Sequence, residues 1–336
     1  MAVMTTEAVH ELVLQTLLRC NTAPANAASV ARALIAAEQV GQAGHGLRRV
    51  PSYAAQALSG KVDGHAVPTG HSPRPGVFAV DAAHGFAYPA LDLAVDWLTK
   101  AAPQQGIAAA GIARSHHCGV AGVTVERLAE AGLVALLFAN TPAAMAPWGG
   151  RKALFGTDPI AFAAPRSGGR PPVVVDVSLS KVARGKIMAA EQKGSAIPEG
   201  WAFDAEGQPT TDPVAALAGT MIPMGDAKGT ALALMVELLA AGLMGANFGH
   251  EASSFFEAKG EPPGVGQLIL ALDPDAFSDR ARSRIDDLAG AIEDEPGARL
   301  PGARRGTLKQ AAADKGLDVD DALLAQIDAL GRGPGA

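Results

Sequence analysis

The chain holds only two cysteines, Cys20 and Cys118, in 336 residues. That excludes a disulfide framework and favours a reducing, cytoplasmic setting. Aromatic residues make up just 4%, so the core must be built mainly of Ala, Leu, Val and Ile. Basic residues are outnumbered: 28 Lys and Arg against 34 Asp and Glu leave a net charge of −6. The basic excess of a nucleic-acid-binding chain is missing, so no nucleic-acid partner is expected. Long apolar runs are missing too. The longest, Thr230 to Ala246, is broken by Glu237; it is too short and too charged to span a bilayer, and no membrane partner is expected. The first twenty residues carry Glu7 and Glu11 and lack a basic end ahead of an apolar run, so they do not read as a signal peptide.

Standard nucleotide motifs are also absent. Gly264-Val265-Gly266 has isoleucine at position 269 and precedes an apolar run, whereas the dinucleotide fingerprint follows a strand. Gly185-Lys186 lacks the earlier glycine and the following Ser or Thr of a P-loop. No fixed repeat appears, which excludes a solenoid. His116, His117 and Cys118 are metal-ligand types. However, no second cluster has ligand spacing, and adjacent histidines diverge on a strand, so no metal is expected.

What is present is a core-forming chain, 48% hydrophobic, long enough for roughly two domains. Val9, Leu12, Val13, Leu17 and Leu18 recur at helical spacing, and Ala28–Ala37 continues the pattern. Pro68–Gly76 reads as a loop. Beyond it, strands are predicted at Val77–Val80, Ile107–Ile112, Leu133–Phe138, Val173–Val177 and Gln267–Leu272. Helices are predicted at Ala90–Ala101, Val120–Ala131, Lys181–Gln192 and Thr230–Gly245, with a mostly helical tail over Ala276–Ile292 and Thr307–Leu330. Gly194–Pro213 reads as a long surface loop. This alternation predicts an α/β protein with a covered sheet.

Two polar stretches carry the chemistry. His116 and His117 follow a predicted strand, and His45 lies among glycines. An imidazole at a strand end suits proton transfer at neutral pH, and equally suits a structural histidine. Arg49 and Tyr53 are about one helical turn apart and could face one site, where a guanidinium fork would hold a carboxylate. Arg48 would project about 100° away from Arg49 on a helix, toward solvent or a second anion. The other reading is a solvated basic turn ended by Pro51.

Gly44-His45-Gly46-x-x-Arg49-Val50-Pro51-x-Tyr53 resembles the Ser-His-Gly-x-x-Arg-x-x-x-Tyr stretch of the sulfolactate/malate/ureidoglycolate dehydrogenase family, the non-Rossmann type-2 malate/L-lactate dehydrogenases. The likeness continues in Ser115–Gly119, Asn140-Thr141, Gly149-Gly150, Leu154–Ala161, Val175–Ile187, Ile197–Trp201, Asp204–Pro213, Lys228-Gly229 and Pro301–Arg304. It covers nearly the whole chain. Within the family, Gly44–Leu47 with Val50–Tyr53 is most similar to the bacterial (2R)-3-sulfolactate dehydrogenase branch.

The resemblance implies a three-layer α/β/α fold with a mixed sheet, distinct from Rossmann, and a helical subdomain from the two ends of the chain. It implies an oxidoreductase using NAD or NADP to interconvert a 2-oxo and a 2-hydroxy acid, with cyclic imino acids as the alternative substrates, and a homodimer. It implies His117 as proton donor with His45 its closest rival. It also implies substrate contacts from Arg49, Tyr53, Arg48 and Gly149. Cofactor contacts are expected from His45, His117, Gly119, Asn140, Thr141, Thr157, Asp176, Ser178, Lys186, Lys228, Gly229 and Arg304. The implied division is a helical segment over 1–70, a sheet domain of 71–118 with 267–336, and a cofactor domain over 119–266. Three departures from the family pattern stand out: Gly44 replaces Ser, Asp158 replaces Asn after Thr157, and Lys186 lies where cyclic-imine reductases carry Asp.

Overall fold

The computed structural model describes residues 2–332. The chain opens with a short strand β1 (Ala2–Met4) and helices α1 (Thr6–Arg19) and α2 (Pro24–Gln39). Thr5 caps α1 by accepting from the Ala8 amide, and its buried Val9, Val13 and Leu17 recur one turn apart. Two tight 3₁₀ turns, Ala43–His45 and Leu47–Arg49, lead into α3 (Val50–Ser59). Pro51 lies in its first turn, and Gly60, at φ +79°, ends it.

The sheet region follows: β2 (Thr69–Arg74), β3 (Val77–Asp81), α4 (Ala87–Gln105), β4 (Ile107–Ser115), α5 (Ala121–Glu130), β5 (Val134–Ala139), β6 (Ile160–Ala164) and β7 (Val173–Val177). A peripheral unit comprises α6 (Arg184–Gln192), β8 (Ala202–Phe203), β9 (Pro209–Thr210), α7 (Pro213–Ala218), β10 (Thr220–Met221) and α8 (Ala227–Val236), which widens into a π turn over Glu237–Gly242. The chain then returns to the sheet as β11 (Val265–Leu272) and finishes with α9 (Ala281–Asp294), α10 (Ala303–Lys315), β12 (Leu317–Val319) and α11 (Asp321–Ala329).

Seven strands form one mixed sheet in the order β2-β3-β4-β11-β5-β6-β7. Only β3 and β4 pair in parallel; the other neighbours are antiparallel. This is not the parallel order of a Rossmann sheet. Alternate residues of β5 show how the sheet is covered. Ala135 and Leu137 pack with Leu91, Leu98, Val125 and Leu128 of α4 and α5, while Leu136 and Phe138 pack with Val236 and Ala240. The result is three layers, helix–sheet–helix. Small residues bring the layers close: at Gly266 a Cβ would stand 1.9 Å from the Ala240 carbonyl oxygen.

The structure alters several sequence expectations. Pro68–Gly76 is not a loop: Thr69–Arg74 forms the exposed edge strand β2, which tolerates Pro73 because the register shifts between His71 and Arg74. The sequence reading missed β6, whose Ala-rich segment carries little strand signal. The expected loop Gly194–Pro213 includes β8 and β9. The helical tail is split by β12, which pairs with β1. The parts 71–118 with 267–336 and 119–266 contribute adjoining strands to one sheet, and β11 meets β5 in six registered pairs. Among the described residues no helix is long and apolar enough to cross a membrane.

Candidate active site

The site forms where the end of β4 meets the turns before α3. Ser115 ends the strand, and His116 and His117 follow it inward. His116 Nε2 lies 2.9 Å from Gln56 Oε1, and its carbonyl accepts from Gln267 Nε2 at 3.1 Å. Both ring nitrogens of His117 are engaged: Nδ1 is 2.6 Å from the Tyr53 hydroxyl, and Nε2 is 3.1 Å from His45 Nδ1. The Tyr53 hydroxyl also lies 3.1 Å from that of Tyr88. His45 and His117 stack with their centroids 5.0 Å apart.

His45 is the outermost member. It is half-buried, and its Nε2 makes no hydrogen bond to a described residue. Gly46 permits the turn that presents it, because a Cβ there would run into Glu38, whose Oε1 accepts from the Leu47 amide at 2.7 Å. Burial, reinforced by the Arg49 charge, pushes His45 down to about 4. The same causes, with Lys61, take His116 to about 3, and His117 also falls well below its ordinary value. All three rings are neutral at pH 7. Burial pushes Tyr53 up to about 12, so its hydroxyl keeps its proton.

Arg49 sits beside this cluster, buried. Its Nε donates to the Gly44 carbonyl at 2.9 Å, and the guanidinium lies 4.4 Å from the Phe256 ring centroid. One terminal nitrogen is buried with no partner among the described residues. A buried guanidinium with a free N–H is a ready receptor for a carboxylate. Arg48 is exposed, as expected from the turn between them. Tyr53 does not join Arg49 in holding an anion. It is fully buried, with its hydroxyl on His117 and Tyr88, which leaves no donor facing a substrate. Gly149 lies on an exposed turn at φ +83°, with open space around it.

The other residues expected to bind the cofactor lie on several elements. Gly119, at φ +71°, lies against Tyr88: a Cβ there would stand 2.7 Å from its hydroxyl. The N-terminus of α5 has no side-chain cap, and Asp176 accepts from the Gly122 amide at 2.8 Å. Thr141 and Thr157 are bonded to each other, and the Thr157 carbonyl accepts from the Leu179 amide, next to Ser178. Leu179 in turn accepts from Met224, ahead of Lys228 and the buried Gly229. Gly302 opens α10 without a side-chain cap beside Val174, and Arg304 is exposed in its first turn. The start of α10, uncapped beside Gly302 and Arg304, fits a phosphate of a dinucleotide, whereas the first turn of α5 is already occupied by the Asp176 carboxylate. Lys186 is exposed on α6. Asn140 is buried, and its side chain bonds Glu237, the Asn247 carbonyl and the Gly266 amide, so the amide group braces the fold.

Phe255 and Lys61 also belong to the site, with no local signal in the sequence. Phe255 packs on His116 and His117, and its carbonyl accepts from Gln56. Lys61 donates to the carbonyls of Ser254, Glu257 and Lys259 at 2.7, 2.9 and 3.2 Å, which holds that loop in place. Asp158 and Glu237 are buried carboxylates on the far side of β11 from His116. Among the described residues no cluster of three His, Cys, Asp or Glu is placed to hold a metal.

Comparison with known proteins gives consistent matches. The malate/L-lactate dehydrogenase family profile matches residues 4–328. The chain is 54% identical over 302 residues to a (2R)-3-sulfolactate dehydrogenase (NADP(+)) of Chromohalobacter salexigens, covering 89% of each chain. It is 41% identical over 331 residues to a Δ1-pyrroline-2-carboxylate/Δ1-piperideine-2-carboxylate reductase of Pseudomonas aeruginosa, covering 97% of this chain and 98% of the relative. The crystal structure of Δ1-piperideine-2-carboxylate reductase from Pseudomonas syringae pv. tomato superposes with a TM-score of 0.89 at 36% identity, over 98% of this chain and all of that one.

Proposed function

Because the chain belongs to the malate/L-lactate dehydrogenase family, we propose that it is an NADP-dependent 2-hydroxy-acid dehydrogenase whose substrate pair is 3-sulfolactate and 3-sulfopyruvate. One observation carries the reading: the unpartnered guanidinium nitrogen of Arg49, whose charge acts on His45, together with the free Nε2 of His45. A 2-oxo acid presents a carboxylate and, next to it, a carbonyl oxygen that becomes negative on reduction. Arg49 holds the carboxylate, and His45 Nε2–H gives its proton to the oxygen. The bound nicotinamide supplies the hydride. His117 was expected to be the donor, but with both nitrogens engaged it stands behind His45 as its support.

Gly119, Asp176 and Ser178, with Arg304 from the C-terminal region, would hold the dinucleotide, in keeping with a cofactor-binding part over 119–266 that is completed from the C-terminal region. Exposed Arg48, with the space left by Gly44, receives the second anion of a sulfonate. Assembly as a homodimer is supported by exposed Leu232, Leu234, Met235, Leu238 and Leu243 on and after α8. Sedimentation at twice the chain mass would bear this out. A cytoplasmic location fits the two buried free thiols.

The test is NADPH oxidation with pyruvate, oxaloacetate, 3-sulfopyruvate, glyoxylate derivatives and piperideine-2-carboxylate. The expected result is the highest kcat/KM for 3-sulfopyruvate. If pyruvate equals it, the second-anion assignment fails. A preference for piperideine-2-carboxylate would move the chain to the imine reductases.

A further inference from the structure

Behind His45 three more groups stand in line. The Tyr88 hydroxyl is 3.1 Å from that of Tyr53, which is 2.6 Å from His117 Nδ1; His117 Nε2 is 3.1 Å from His45 Nδ1. At the far end, Tyr88 lines a cavity of about 470 Å³ between α2, α4 and α5, with Asp92, Asp96, Glu126 and Glu130 also on its wall. A polar cavity of this size admits water. We propose that Tyr88 and Tyr53 form a proton relay which connects this cavity, through His117, to His45. The proposal rests on the reading of His45 as the proton donor.

The line can be bonded in two ways, each with every link made. In the first, Tyr88 donates to Tyr53, Tyr53 to His117 Nδ1, and His117 Nε2–H to His45 Nδ1, which leaves the His45 proton on Nε2. When that proton leaves for the substrate oxygen, His45 Nδ1 takes the proton of His117. His117 Nδ1 takes that of Tyr53, Tyr53 that of Tyr88, and Tyr88 takes one from cavity water. At each group one bond to hydrogen breaks and one forms. The net result is one proton drawn from solvent through the cavity and one delivered to the substrate; the electron pair arrives with the hydride. The line ends in the second arrangement, with His45 Nε2 bare, which is the state that the reverse reaction needs. Product release exposes Nε2 to solvent and resets it.

Such a line solves a specific problem. A neutral imidazole that surrendered its only proton unaided would be left as an anion. Replenishment at Nδ1, in the same event, avoids this. The high affinity of both phenols for their protons means that the hydrogens move together and no tyrosinate accumulates.

Tyr88→Phe removes one oxygen and keeps the ring. With the best 2-oxo acid of the panel, kcat should fall about tenfold or more. KM and the NADPH dissociation constant should stay within about twofold of the parent, because a lost proton path slows the transition state and leaves ground-state binding alone. The rate against D₂O fraction should change from bowed, with several protons moving, to linear. Tyr53→Phe should do the same, and it serves if Tyr88→Phe does not fold. In the cofactor-free protein, the imidazole ¹⁵N resonances of His45 should respond to Tyr88→Phe. Unchanged kcat in both variants overturns the relay. So does a lower kcat with an unchanged D₂O curve, which would assign the tyrosines to packing. If the parent itself oxidises NADPH with no 2-oxo acid, the dehydrogenase reading fails and the relay falls with it. An active parent matched by its variants sinks the relay alone.

Discussion

Two buried ionisable clusters flank the start of β11. Gln267 touches one, through the His116 carbonyl, and Gly266 touches the other, through Asn140. On the first side burial drives three histidines down. On the second it drives two carboxylates up: Glu237 to about 7, and Asp158 well above its ordinary value. The same physics pushes both clusters toward their uncharged forms, yet they differ in what their bonds reach. The histidine line ends in a half-exposed ring with a free nitrogen. The carboxylates end on backbone amides, those of Thr141 and Gly249, and leave one Asp158 oxygen with no partner. A buried ionisable group becomes chemical machinery when its hydrogen bonds lead to an open position; otherwise it braces a turn.

Substitution on each side breaks or sharpens this contrast. His45→Asn should lower kcat by roughly 10²–10⁴ with little change in melting temperature. Asp158→Asn should leave kcat near the parent value, and a larger kcat loss there than at His45 would invert the comparison. Arg49→Ala should cost about 2–5 kcal/mol in kcat/KM, as for one partner of a buried charged pair. Arg49→Lys keeps the charge but not the fork, and should remain well below the parent.

Stability against pH separates the clusters next. His45 and His116 have depressed folded values, so the unfolded chain binds protons more readily, and their contribution is lost as pH falls from about 6.5 towards 4. Glu237 has a raised value, so its contribution is present below about 4.5 and lost as pH rises through about 7. The two slopes oppose each other between these limits. Asp158, raised as well, shares this alkaline loss, so Asp158→Asn should flatten it in denaturant titrations at pH 5 and 8 while the acid limb stays. An unaltered alkaline limb would mean that Asp158 does not carry it. The smallest effect belongs to exposed Arg48. Arg48→Ala should change stability by less than about 0.5 kcal/mol and affect 3-sulfopyruvate more than pyruvate.

Most of the sheet was legible because its strands are short apolar runs bounded by turn residues. The exposed strand β2 and the alanine-rich β6 were not, since each owes its existence to a neighbour's edge rather than to its own pattern. His45, His117 and Arg49 were legible as polar groups in glycine-flanked turns. Their order was not, because spacing along the chain does not say which ring has both nitrogens occupied. Tyr88, Phe255 and Lys61 reach the site from segments distant in sequence, and nothing local marks them. Tyr53 and Asn140 read as ligand contacts in the sequence because polar side chains in a motif look alike until their bonds are counted.

Lys61 shows what such hidden residues contribute. Its ammonium group gathers the carbonyl oxygens of three residues between positions 254 and 259, as a coordinated cation organises a loop. This ion is covalently tethered, so no chelator can strip it and no concentration governs its occupancy. The loop it shapes supplies Phe255 to the histidines and Phe256 to Arg49. Geometry that a metalloenzyme would obtain from its medium is here encoded in the chain and inherited with it.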